Sequence, residues 1–298
     1  MAALLERIRR AGRPPLHTLP VAQARAAYAA GAEVLDLARA PLAEVRDFEI
    51  AAADGAPLRA RRYAARPGAT STLLYLHGGG FVVGGLETHD SLCRQLALRS
   101  DWAVVALDYR LAPEHRFPTA VSDAWSAMAA LATGLAPGTP LAVGGDSAGG
   151  TLAAVCALHA RDIGLPLALQ LLITPGTAAR AETASRRLYS RGFLLEEAAI
   201  DWFFDHYIEP ARRQDWRFAP LEADVDGVAP AGLILAECDP LVDEALAYAD
   251  RLRLAGVEVE LELARGVTHD FIKMGRALEE SAVALDFAAA ALRRRSPR

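Results

Sequence analysis

The sequence is poor in several things, and each shortage removes a class of protein. Three cysteines in 298 residues, Cys93, Cys156 and Cys238, are too few and too scattered for a disulfide framework or a cysteine-based zinc site. A reducing compartment, the cytoplasm, is the default expectation for such a chain. No uninterrupted apolar stretch approaches the ~20 residues of a membrane-spanning helix. The opening MAALLERIRRAGRPP puts Glu6 and several arginines where a secretory leader needs an apolar core, so neither a leader nor stable membrane association is expected. Positive charge is not in excess either. A net charge of −5 gives no broad basic field to hold nucleic acid, and the short run Arg293-Arg294-Arg295 reads as a solvated end. Internal repeats and low-complexity linkers are missing as well.

What is present is a well-mixed globular composition, 52% hydrophobic and 23% charged. Up to about Ala40 the chain is alanine-rich and helical in character, punctuated by Pro14, Pro15 and Pro20. VRDFEIAAADGAPLRARRYAA then alternates and turns at Asp54-Gly55, which predicts an antiparallel hairpin. From Thr72 onward come short, nearly continuous apolar runs: TLLYL, WAVVALDY, PLAVGG, LALQLLIT, AGLILAE and VEVELELA. Such runs are what strands look like when a sheet is covered on both faces. Helical segments around 120–132, 148–161 and 243–255 separate several of them, which predicts an α/β fold with a mainly parallel sheet. Between Thr174 and Pro230 no strand is expected. LLEEAAIDWFFDHYIEP reads there as an amphipathic helix, and an insertion of this length suits a lid or a packing elaboration.

LAVGGDSAGGTL carries the chemistry. Gly145-Asp146-Ser147-Ala148-Gly149 is a G-x-S-x-G match entered by a strand and left by a helix, the context required of a nucleophile elbow. A serine hydroxyl needs a base to take its proton. Three histidines follow Ser147. His159 lies on the helix that the elbow opens and reads as a surface residue; His206 lies in the insertion; His269 follows the last strand, where the base is expected. For the acid, Glu237, Asp239 and Asp243 are candidates, and Asp239, just past a strand end, is preferred, with a helix N-cap as its structural alternative. His77-Gly78-Gly79-Gly80-Phe81 leaves the first buried strand with unshielded backbone N–H groups. With the N–H of Ala148 these can cradle an oxyanion. No Gly-Lys-Ser/Thr follows, so the glycines are not a P-loop. His77 is expected to anchor the loop. Phe81 is a candidate for the pocket rim, and Trp202, Phe203, Phe204, Trp216 and Phe218 are candidates from the insertion.

Together, HGGG at 77–80, YRLAPEH at 109–115, GDSAGG at 145–150, DPL at 239–241 and His269 resemble the hormone-sensitive-lipase family of α/β-hydrolases, the bacterial HGGG esterases, over nearly the whole chain. The resemblance implies an α/β-hydrolase fold with helices on both faces of the sheet and a helical cap. The cap would be residues 1–40 plus an insertion at about 178–220 within a 41–298 hydrolase domain. It implies a carboxylesterase acting on short- to medium-chain acyl esters, with no cofactor, no metal and a small-molecule ester as partner. Ser147, His269 and Asp239 would be the triad, and Gly79, Gly80 and Ala148 the oxyanion donors. Gly78 and Asp146 would support them, and Glu114 would organise the active-site floor. Without the family, YRLAPEHRFP reads as a loop with a salt bridge. Amidase, lactonase or thioesterase chemistry uses the same triad, and plant gibberellin receptors share the fold without hydrolysing their ligand, their triad histidine being replaced. Relatives often pair through the edge strand or last helix, so a homodimer is an expectation, although a helix capping the sheet explains RALEESAVALDFAAAALRRR as well. Two departures stand out. LLITPGTAAR lacks the aromatic and acidic residues often seen there, and Asp270 follows His269 where many relatives have glycine.

Overall fold

In a computed structural model, which describes residues 1–298 except 33, 180, 181 and 298, the apolar runs form one eight-stranded sheet. Its order is β1 (Glu44–Ala51), β2 (Pro57–Ala64), β4 (Ala103–Leu107), β3 (Thr72–Leu76), β5 (Leu141–Asp146), β6 (Leu169–Ile173), β7 (Ala231–Cys238) and β8 (Val259–Thr268). β1 and β2 are the expected hairpin, with Gly55 at positive φ in the turn and Ala56 N–H donating to Asp54. β2 runs antiparallel to β4, and every pairing from β4 through β3 to β8 is parallel.

The central strands are buried along their whole length, as continuous apolar runs require. Side chains alternate across a strand, and the two cores show it. Leu74, Leu76, Val105 and Val143 face one core with α4 (Thr119–Gly134), α5 (Ala148–Asp162) and α8 (Val242–Leu254). Leu73, Tyr75, Val104 and Ala142 face the other with α3 (Asp90–Ser100) and α9 (Glu279–Arg294). Each fully buried leucine contributes roughly 1.5–3 kcal/mol. α3 was not among the expected helices. Its apolar face, Leu92, Cys93, Leu96 and Ala97, spans barely three turns and ends at Asp101 in a left-handed conformation.

Outside the sheet lie α1 (Ala2–Arg10), α2 (Val21–Ala32), α6 (Ala184–Leu188) and α7 (Glu197–Tyr207). Among the described residues no strand forms between β6 and β7, as expected; residues 180 and 181 of the expected insertion lie outside the described residues. In the Arg293–Arg295 run, Arg293 and Arg294 are exposed, and each arginine has a partner: Arg293 donates to the carbonyl of Arg99, Arg294 pairs with Glu260, and Arg295 pairs with Glu258 at 2.7 Å. No helix among the described residues is long and apolar enough to cross a membrane.

Candidate active site

Ser147 sits between β5 and α5 with φ 52° and ψ −121°, a strained backbone for any residue with a Cβ. The turn is held from both sides: Ser147 N–H donates to Ile173 O at 2.8 Å, and Thr151 N–H donates to Ser147 O at 3.0 Å. The strand and helix pass so closely that a Cβ at Gly145 or Gly149 would collide with the Leu76 carbonyl. The glycines flanking the serine are therefore a packing requirement of the elbow, and they leave the serine side chain facing a cavity.

That cavity, about 830 Å³, lies beyond the carboxyl ends of β3 and β5 and takes in Gly79, Gly80, Ser147, Ala148, His269 and Asp270. Gly79 and Gly80 have φ of 119° and 58°. Among the described residues, neither N–H has an acceptor within the protein. Gly80 packs against the ring of Phe203, where a Cβ would not fit. Ala148 is the first residue of α5, whose N–H has no carbonyl one turn earlier in the helix. Three backbone donors are thus presented at the edge of one space.

The loop that presents them is fixed from below. Asp146 is fully buried and accepts from Tyr75 OH at 2.7 Å and from Gly78 N–H at 3.1 Å, and His89 Nε2 lies 3.2 Å from it. Burial pushes this carboxyl up, but the charge and hydrogen bond of His89, with Lys273 and Tyr75, outweigh it and hold the group well below the usual carboxylate range. His77 Nδ1 lies 2.8 Å from Gly78 O; a carbonyl only accepts, so Nδ1 carries the proton. Its ring stacks on Tyr109 at 4.2 Å, and Tyr109 OH donates to His77 O at 2.7 Å. Burial, then the neighbouring His89, push His77 down to about 3, so it stays neutral.

His269 follows β8 and is 4% exposed. Its Nδ1 is 2.7 Å from Asp239 Oδ2, while Asp239 Oδ1 accepts from Leu241 N–H at 2.9 Å. Asp239 therefore does both things the sequence allowed: it ties down the chain entering α8 and it faces the histidine. The other candidates are engaged elsewhere. Glu237 accepts from Gly266 N–H and pairs with Arg265; Asp243 accepts from Ser185 N–H. Burial pulls His269 down, but the charge and hydrogen bond of Asp239, with Asp270 and Asp146 behind them, push it up to about 9. Ser147 Oγ and His269 Nε2 open on the same cavity with no hydrogen bond between them; contacts of this kind commonly tighten only with substrate bound.

Several expectations need correction. Glu114 is exposed and not at the floor of the site. Its carboxylate grips Arg25 of α2 at 2.9 and 2.6 Å, and Arg25 also donates to the carbonyls of Val82 and Ala112. The loop with a salt bridge was the better reading, because a carboxylate on an exposed loop finds the nearest guanidinium. Phe81 and Phe203 line the cavity, with Phe204 and Phe218, but Trp202 does not: it packs edge-on against Phe203 and over His206. Trp216 instead stacks on Trp125, whose other partner is His159 at a ring distance of 3.9 Å. His159 is thus half-buried in an aromatic stack, not a plain surface residue. Sequence reasoning also passed over Lys273. It is the chain's single lysine, buried, donating to Tyr28 OH of α2 at 3.1 Å beside the cavity. Its rarity, four residues after His269, was the available signal. No group of three or more His, Cys, Asp or Glu among the described residues is placed to hold a metal ion.

A family model described as an alpha/beta hydrolase fold matches residues 73–273. The ethyl acetate hydrolase of Pseudomonas putida is 41% identical over 295 residues, covering 93% of this chain and 92% of that protein. Among solved structures, a mutant of an alpha/beta hydrolase enzyme from the metagenome of Lake Arreo, Spain, superposes with a TM-score of 0.91 at 40% identity, covering 98% of this chain and 95% of that one. A thermostable esterase from Pseudomonas putida superposes with a TM-score of 0.94 at 32% identity, covering 99% of this chain and 96% of that one.

Proposed function

The chain belongs to the alpha/beta hydrolase family, in its hormone-sensitive-lipase branch, and is an ester-hydrolysing enzyme; from that premise we propose that Ser147, His269 and Asp239 hydrolyse short- to medium-chain acyl esters through an acyl-enzyme. The observation that carries the reading is the shared cavity. A serine on a positive-φ elbow, a histidine held at Nδ1 by a carboxylate, and unpaired glycine N–H groups all open on it.

In the first half-reaction Ser147 Oγ attacks the ester carbonyl as its proton passes to His269 Nε2. The carbonyl oxygen gains the electron pair and rests on the N–H groups of Gly79, Gly80 and Ala148. Collapse of this intermediate breaks the bond to the alcohol, which leaves with the proton from Nε2. Water then attacks the acyl-serine by the same route, and Ser147 is regenerated with release of the acid. Asp239 keeps the proton on Nδ1 and stabilises the imidazolium without taking the proton itself.

The largely apolar lining of the cavity suits an acyl chain. We read residues 1–40 and about 178–220 as its cap. Ala2, Leu5 and Tyr28 from the first segment and Phe193, Phe203 and Phe218 from the second share the wall over Ser147. The three free thiols support a cytoplasmic location. The test is release of p-nitrophenol from acetate, butyrate, octanoate and palmitate esters by wild type and Ser147→Ala. Turnover that peaks at short or medium chains and falls by several orders of magnitude in the variant is expected. Folded wild type with no turnover above the variant on any chain would sink the assignment.

A further inference from the structure

Asp270 is the one carboxylate, among the described residues, that approaches the free nitrogen of His269: its Oδ1 is 3.9 Å from Nε2. It sits in a left-handed conformation at φ 63°, lines the cavity, and its side chain is 38% exposed there. Its carboxylate accepts no hydrogen bond from any described residue, so both oxygens remain available to a bound molecule. In the mechanism proposed above, Nε2 hands its proton to the departing alcohol oxygen, which must come within about 3 Å of it. Whatever lies beside Nε2 therefore lies beside the alcohol half of the ester, and that neighbour is a negative charge.

We infer that Asp270 is a specificity-determining residue that favours esters whose alcohol carries a positive charge close to the ester oxygen, such as amino-alcohol esters, and disfavours anionic alcohols. The inference rests on the triad reading. Of the other carboxylates around His269, Asp239 is paired with its Nδ1 and Asp146 lies against His89, and the nearby buried cation, Lys273, donates to Tyr28 OH. Arg9 and Arg13, the cavity's arginines, lie on its exposed outer wall, and Arg9 is paired with Glu6. Asp270 is therefore the carboxylate nearest the leaving group, and among the described residues nothing donates a hydrogen bond to it. No other described carboxylate comes as close to Nε2, so removing Asp270 takes away the charge nearest the alcohol.

The test compares kcat/KM on three acetate esters: acetylcholine, its neutral isostere dimethylbutyl acetate, and the anionic sulfoethyl acetate. Wild type is set beside Asp270→Asn and Asp270→Gly, two residues that tolerate positive φ. Wild type is expected to prefer the cation over the anion, with the preference shrinking as salt is raised. Both variants should lower the cation-to-anion ratio about tenfold. An unchanged ratio in both variants, with the neutral ester still hydrolysed, overturns the inference and leaves the esterase reading standing. Failure of wild type on the neutral ester removes the esterase reading itself, and this inference with it. A change in kcat/KM that is equal for all three esters would assign Asp270 a structural role and also overturn it.

Discussion

Asp239→Asn separates charge from shape at the heart of the site. The wild-type carboxylate accepts twice, from Leu241 N–H at 2.9 Å and from His269 Nδ1 at 2.7 Å. An asparagine has one acceptor, and the backbone N–H, which can only donate, takes it. The amide NH2 is then turned toward Nδ1 and donates to it. That forces the proton of the neutral imidazole onto Nε2, the nitrogen that must accept the proton of Ser147. The wrong tautomer is the cause of the ~10⁴-fold loss of turnover known for this substitution in a serine-protease triad, and the same figure is expected here for kcat. At about 1.36 kcal/mol per decade it corresponds to about 5 kcal/mol of barrier. Stability should barely move above about pH 9, because the amide keeps the Leu241 bond, and should fall by up to about 3 kcal/mol at lower pH, where the ion pair with His269 is lost. Asp239→Ala should lose as much activity and, in addition, about 1–3 kcal/mol of stability, since it leaves the Leu241 N–H buried without a partner. Initial rates on p-nitrophenyl butyrate and urea unfolding of the three proteins decide the matter. If Asp239→Asn keeps activity within tenfold of wild type, the tautomer argument is refuted and Asp239 is only the tie at the start of α8.

The raised pKa of His269 gives a second prediction: kcat/KM climbs with pH along a limb above the ordinary imidazole range, toward about 9, and a pH–rate profile centred at or below 6.5 would contradict it. Because the folded pKa lies above the unfolded one, the His269–Asp239 pair stabilises the fold fully below about 6.5, and up to about 3 kcal/mol is lost as pH rises through about 9. Thermal unfolding should show that loss in wild type and not in Asp239→Asn. Glu114→Gln should leave kcat within about threefold and alter KM more, since the residue holds α2 through Arg25 rather than the reacting groups; a kcat loss of a hundredfold would restore it to the site floor. Phe203→Ala should move the acyl-chain optimum to longer esters by opening the wall beside Gly80, whereas Trp202→Ala should not shift it, as chain-length profiles of both variants will show.

The sequence by itself determined the sheet and the elbow. Runs such as TLLYL and LAVGG, short and followed by glycine, read as strands covered on both faces, and Gly145 and Gly149 sit where backbone against backbone leaves no room for a Cβ. Those are local or short-range constraints, written in residue size and hydrophobic period. The order of strand ends also located His269 and Asp239, because a parallel sheet delivers its carboxyl ends to one side. What only the tertiary structure decided are the pairings between residues far apart in the chain. Glu114 meets Arg25, Lys273 meets Tyr28 and His89 meets Asp146; the fold also sets the Asp270 carboxylate 3.9 Å from Nε2 of its chain neighbour His269. Nothing in the local pattern of an exposed glutamate or a lone lysine says which partner it will meet. For both it is settled by where α2, which carries Arg25 and Tyr28, is laid.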